Sequence, residues 1–121
     1  MEVFLVPKGF LLNDISGRIL KCVKEYCLKS PDEETCGIIY SENERLEFLA
    51  CPNLSWNKKN SFCIDLNIIV DYNVKYIFHS HIDCCAKPSL LDKNSSNELA
   101  IPFLIYSILY DKFEIYQNKS V

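Results

Sequence analysis

The chain's only two histidines, His79 and His81, stand one residue apart; seven residues then intervene before Ser89, and two more before Asp92. Two imidazoles and a carboxylate can hold one zinc ion and leave its fourth position to water, the arrangement of a hydrolytic centre rather than a structural one. Such a centre also needs a group that moves protons, and a second carboxylate does that work. The acidic pair Glu33-Glu34 lies just before the apolar run Cys36-Gly37-Ile38-Ile39-Tyr40, which reads as a strand. Strand alternation turns the two acids to opposite sides without choosing between them.

Each of these residues also has an ordinary use. Ser89-x-x-Asp92 is a variant of the capping box that opens helices, and a carboxylate is favoured in a first helical turn with or without zinc. Capping does not explain a His-x-His at a fixed distance upstream, however, and the two roles can coexist. Cys84 and Cys85 follow His81 closely, and thiolates bind zinc well. A closed site of His79, His81, Cys84 and Cys85 would have to wrap one ion from a single loop, so the thiols are read as coincidental neighbours. Asp83 has no assigned role. Cys36 reads as a small buried residue beside the site, and Trp56, Phe62 and the Tyr-rich C-terminal hairpin as core and rim.

In Glu34-Thr35-Cys36-Gly37, His79-Ser80-His81 and Pro88-Ser89-Leu90-Leu91-Asp92 the chain resembles the JAMM (MPN-plus) zinc metallopeptidases. Their pattern is a distant upstream Glu, then His-x-His, seven residues, Ser, two residues and Asp. The resemblance implies Zn2+ held by His79, His81 and Asp92, with Glu34 rather than Glu33 as the catalytic carboxylate and Ser89 as the donor to the oxyanion. The reaction implied is hydrolysis of a peptide or isopeptide bond in a protein substrate. Pro52-Asn53, Ser61-Phe62-Cys63-Ile64-Asp65 and Ala100-Ile101-Pro102-Phe103 further resemble the bacteriophage tail-assembly branch, whose partners would be other phage tail proteins. One departure is local: Ile82 stands where that family usually has Pro after the second histidine, which bears on the stiffness of the loop and leaves the ligand set intact. Tail proteins of this type often continue into a cell-wall peptidase domain; none follows Val121, and no such activity is expected. Two other readings share the site: a structural tail-tip subunit that keeps fold and metal with little catalysis, and a cellular peptidase trimming ubiquitin-like or sulfur-carrier proteins.

Composition sets the frame around the motif. With 121 residues, 49% of them hydrophobic, the chain can bury a core without metal or disulfide support, so zinc would serve chemistry rather than folding. A net charge of −3, from 13 basic and 16 acidic residues, gives no electrostatic footprint for nucleic acid. Seven cysteines, an odd number with several in apolar segments, favour reduced buried thiols in a cytoplasm, the host's if a phage encodes the chain, or in a virion tail. Met1 to Pro7 has an early acid and too short an apolar run for a secretory leader. The apolar stretch from Ala100 to Tyr110 is broken by Pro102 and Ser107 and falls short of the ~20 residues of a spanning helix.

The elements that must position the motif follow from periodicity. After a short N-terminal strand, Asn13 or Asp14 can cap a helix whose apolar positions are Ile15, Ile19, Cys22, Val23 and Tyr26, and Pro31 stops it. Strands are expected at Cys36 to Tyr40, Leu46 to Cys51 and Ser61 to Asp65, then a short helix from Leu66 to Tyr72. Val74 to Phe78 is a β-branched and aromatic strand that delivers both histidines at its end, with His79 and His81 on one side and Ser80 on the other. Ser89 opens a helix to about Leu99, and Phe103 to Tyr110 with Phe113 to Tyr116 closes the chain as a hairpin around Asp111-Lys112. The expected architecture is α/β: one JAMM/MPN-like domain over residues 1–121, a mixed sheet flanked by helices.

Overall fold

The computed structural model describes residues 15–118. In chain order they form α1 (Gly17–Leu28), β1 (Cys36–Glu42), β2 (Arg45–Cys51), α2 (Leu66–Asp71), β3 (Val74–His81), α3 (Leu90–Leu99), β4 (Phe103–Ser107) and β5 (Lys112–Tyr116). The strands make one mixed sheet in the order β2-β1-β3-β4-β5, with β3 and β4 parallel and every other neighbouring pair antiparallel. The parallel pair is joined through α3, as a parallel crossover requires. This is the α/β mixed sheet with flanking helices that the sequence implies. No helix among the described residues is long and apolar enough to cross a membrane.

Alternation along β3 sorts the two faces. Tyr76 and Phe78 join Ile39, Leu104, Tyr106 and Ile115 under α1, which presents Ile19, Val23 and Cys27 at helical spacing. Ile77 turns to the other face with Cys36, Ile38, Phe103 and Ile105, where Ile69 of α2 and Leu99 of α3 pack. His79 and His81 share that second face because they follow Ile77 at intervals of two.

Several boundaries differ from the sequence expectation. The N-terminal strand and the caps Asn13 and Asp14 lie outside the described residues; Ser16 caps α1, its hydroxyl accepting from the Ile19 N–H at 3.3 Å. Cys22 is on the exposed side of α1, and Cys27 takes the buried position one turn on. The segment Ser61 to Asp65 is not a strand. Its backbone is held by a side chain instead: Asn53 Nδ2 donates to Ser61 O and Asn53 Oδ1 accepts from Cys63 N, with one backbone bond from Leu54 N to Cys63 O. β4 ends at Ser107, whose hydroxyl accepts from Tyr110 N and donates to Cys84 O, so residues up to Tyr110 form a turn.

Close packing of β1 against β2 singles out one glycine. A Cβ on Gly37 would lie 2.5 Å from the Leu49 carbonyl oxygen and 2.9 Å from a ring carbon of Phe48, and the backbone contact cannot be relieved by a rotamer change. Gly37→Ala is therefore expected to lower stability by about 1–3 kcal/mol in denaturant unfolding, an overpacking cost that Gly17→Ala, with open space around it, does not share.

Candidate metal centre

β3 delivers His79 and His81, both buried, to one side of its C-terminal end. The loop after β3 returns the chain so that α3 begins beside them, with Ser89 as its N-cap. Ser89 Oγ accepts from Asp92 N at 3.0 Å, and Asp92 Oδ2 accepts from Ser89 N at 2.9 Å, a reciprocal capping box. The box fixes the carboxylate so that Oδ1 lies 3.1 Å from His79 Nε2 and Oδ2 lies 3.2 Å from His81 Nε2; the two Nε2 atoms are 3.3 Å apart. Ligands held about 2.0–2.1 Å from one tetrahedral ion stand about 3.3 Å from each other, the spacing of the two Nε2 atoms, and each of these faces its own oxygen of the Asp92 carboxylate, which closes the triangle. His79, His81 and Asp92 can hold a metal ion, and no other group of three or more His, Cys, Asp or Glu among the described residues is so placed.

The two imidazoles are oriented by different means. His81 Nδ1 lies 2.8 Å from the Cys85 carbonyl oxygen, which fixes a proton on Nδ1, so that Nε2 is the nitrogen left to ligate once the ring is neutral. His79 Nδ1 is buried with no hydrogen-bond partner; its ring is held by stacking, with Phe62 parallel to it at 4.3 Å between centroids and Phe103 edge-on at 5.6 Å. Burial lowers the His79 pKa, favouring the neutral ligating form. For His81 burial also pulls down, but the Asp92 carboxylate and the Cys85 carbonyl outweigh it and the pKa is raised. Burial pushes Asp92 up, and the two imidazoles with the Ser89 N–H more than reverse this, holding its carboxyl well below the usual range.

Glu34 and Glu33 are separated by burial: Glu34 is 8% exposed, whereas Glu33 faces solvent. Glu34 is positioned through its backbone, its N–H donating to Lys58 O at 2.6 Å and its carbonyl accepting from Asn53 Nδ2 at 2.8 Å. Its neighbour Thr35 is tied to Ser80, the residue between the histidines, by bonds from Thr35 N to Ser80 Oγ at 2.9 Å and from Ser80 N to Thr35 O at 3.0 Å. Burial pushes the Glu34 carboxyl up to about 7; the His81 imidazole opposes the rise, and Asp92 and Asp83 add to it. Glu34, His81, Ser89 and Asp92 line one cavity of about 420 Å3.

All five residues singled out in the sequence thus meet in one place. Phe62, read from its residue type as core or rim and part of the segment that carries the resemblance, stacks on a site imidazole, and Asn53, from the same resemblance, is the clamp between Glu34 and the segment carrying Phe62. The Cys84 and Cys85 thiols are exposed and stand outside the His79–His81–Asp92 group; Cys85 serves the site through its carbonyl.

The fold has solved counterparts. Protein DSY2949 from Desulfitobacterium hafniense is 20% identical over 83% of this chain and 78% of its own, with a TM-score of 0.61. AF2198, a JAB1/MPN domain protein from Archaeoglobus fulgidus, is 18% identical over 82% of this chain and 83% of its own, with a TM-score of 0.60. At such identities the likeness is one of fold, and the chain is an α/β domain with the fold of a JAB1/MPN protein. No family model matches the sequence, and no curated protein does either.

Two outcomes follow from this geometry. Elemental analysis and titration should find about one divalent ion per chain, abolished by His79→Ala or His81→Ala and untouched by Cys84→Ser with Cys85→Ser, while the metal-free protein stays folded. Because the folded-state pKa of Glu34, about 7, lies above its ordinary 4.5, ionising it opposes folding, and its cost grows as pH rises between those values. Metal-free Glu34→Gln should therefore melt higher than the wild type at about pH 8, with the gap closing toward about pH 5; a pH-independent gap would mean a solvated carboxylate.

Proposed function

We propose that the chain is a zinc-dependent peptidase or isopeptidase of the JAMM type that works on protein substrates in phage tail assembly. The observation that carries the catalytic reading is the convergence of His79 Nε2, His81 Nε2 and Asp92 within 3.1–3.3 Å of one another at a cavity that also holds a buried carboxylate, Glu34. The tail context rests on the resemblance carried by Pro52-Asn53, the Phe62-centred segment and Ala100-Ile101-Pro102, and it sets the host cytoplasm or virion tail as the place of action, with other tail proteins as partners.

Two imidazoles and one carboxylate suit zinc with a position left open, and the bound ion would supply an acidified water and a polarised carbonyl, the chemistry of amide hydrolysis near neutral pH. Glu34, with a pKa brought up to about 7, takes a proton from the attacking water and returns it to the departing amine. The Ser89 oxygen accepts the Asp92 N–H, which leaves the Ser89 hydroxyl proton free to donate to a developing oxyanion in the cavity. Thr35, Ser80 and Asn53 keep Glu34 in register with the histidine strand.

The roles separate by substitution. Glu34→Gln should keep zinc and lose hydrolysis of peptide or isopeptide substrates, and Glu33→Gln should change neither. Ser89→Gly should keep zinc and nearly all its stability, since glycine serves as an N-cap at a cost of a few tenths of a kcal/mol, yet lose roughly two orders of magnitude in turnover. Near-normal turnover in Ser89→Gly would leave that residue a helix cap alone. Normal tail assembly with Glu34→Gln, and failure without the protein, would establish a structural subunit in place of an enzyme.

A further inference from the structure

The cavity is much larger than one ion and its water require. Its volume of about 420 Å3 compares with about 30 Å3 for a water molecule, and most of its remaining lining is apolar. The topology orders that lining. β3 runs toward the histidines, so Ile77 lies two residues, roughly 7 Å, behind His79 on the same face. α3 runs the opposite way, carrying the cavity wall from Asp92 back to Leu99, seven residues and roughly 10 Å further along its axis. The two meet again where Phe103 pairs with Ile77 and Ile77 N donates to Pro102 O. The cavity therefore has a reactive end at Glu34, His81, Ser89 and Asp92 and an apolar arm between α2 and α3, with the almost wholly buried Ile77 and Phe103 beneath it.

The walls of that arm explain why it is open. On α3 the stripe Leu91, Ser95, Leu99 faces it, with the small serine between two leucines; α2 faces it with Leu66 and Ile69. The charged lining residues, Glu34, Lys59, Asp83 and Asp92, include none from α2 and only Asp92 from α3. A peptide whose carbonyl sits at the reactive end has its own side chains within reach of the arm, and an uncharged arm of a cavity this size favours large apolar ones.

We infer that the arm between α2 and α3 receives a large aliphatic or aromatic side chain adjoining the scissile bond, so that the substrates are proteins cut beside such a residue. The inference rests on the metallopeptidase reading of the site. Its specificity-determining residues are Ser95, Leu99, Ile69 and Leu66, with Ile77 and Phe103 beneath.

Binding to zinc-loaded protein tests this without an assay of turnover. Calorimetry with N-acetyl-leucine hydroxamate and N-acetylglycine hydroxamate should show the leucine compound binding roughly tenfold to a hundredfold more tightly, the gain from burying one such side chain. Ser95→Phe, which sets a ring in the gap of the stripe, should erase that preference while zinc content and glycine-hydroxamate affinity stay unchanged. Should that variant fold poorly, Leu66→Asp at the exposed rim should weaken only the leucine compound. Equal binding of the two hydroxamates to protein carrying one zinc would overturn the pocket and leave the metal centre standing. A leucine preference unmoved in both variants would also overturn it. Absence of zinc together with absence of hydroxamate binding would overturn the metallopeptidase reading and the pocket with it.

Discussion

A single buried carboxylate, Asp92, organises the centre. Taking a carboxylate out of water costs several kcal/mol unless charge and hydrogen bonds replace the lost hydration. Here both oxygens are engaged by imidazole nitrogens, and Oδ2 also accepts the Ser89 N–H at the positive end of α3. The capping box thus does two things at once: it starts the helix and aims the carboxylate at the strand end. Moving α3 by one residue would break the cap and the triangle together, which couples the crossover between β3 and β4 to the chemistry.

The surrounding shell works mainly through backbone and packing. Ser80 faces away from the site but bonds to Thr35, so the strand that carries the histidines also fixes the entry to the strand that carries Glu34. Asn53 extends that link to the Phe62 segment, and Phe62 in turn lies flat on His79. Ser107 holds the Cys84 carbonyl, next to the Cys85 carbonyl that orients His81. Three loops from different parts of the chain are thereby tied to one strand end, and none of the ties uses a charged side chain.

The parts of this arrangement that obey local rules were readable in the sequence. Period-two alternation placed His79 and His81 together and Ser80 opposite; the Ser89-x-x-Asp92 cap was visible as a pattern, and the helix it opens ends at Leu99 as expected. What was not readable depended on long-range partners. Ser61 to Asp65 has the composition of a strand but no strand beside it, because the Asn53 amide takes the place of a neighbouring backbone. Cysteines divide in the same way: Cys27, Cys36 and Cys51 are buried and Cys22, Cys63, Cys84 and Cys85 exposed, a division that composition cannot supply. Glu34 over Glu33 needed the resemblance at the sequence level, since alternation permits either; burial separates them in the fold.

The difference between the two histidines bears on how an ion would enter. Burial lowers the His79 pKa, and with no acceptor at Nδ1 the proton of its neutral ring sits on Nε2, facing Asp92 Oδ1 at 3.1 Å. His81 has an acceptor on Nδ1 and a carboxylate at Nε2, both of which favour the protonated ring. A metal ion must therefore displace the protons that the two imidazoles share with Asp92, and affinity should weaken as pH falls. His81 is also the histidine that lines the cavity, while His79 lies fully buried behind it. An entering ion therefore meets His81 and Asp92 first, and His79 completes the site from behind.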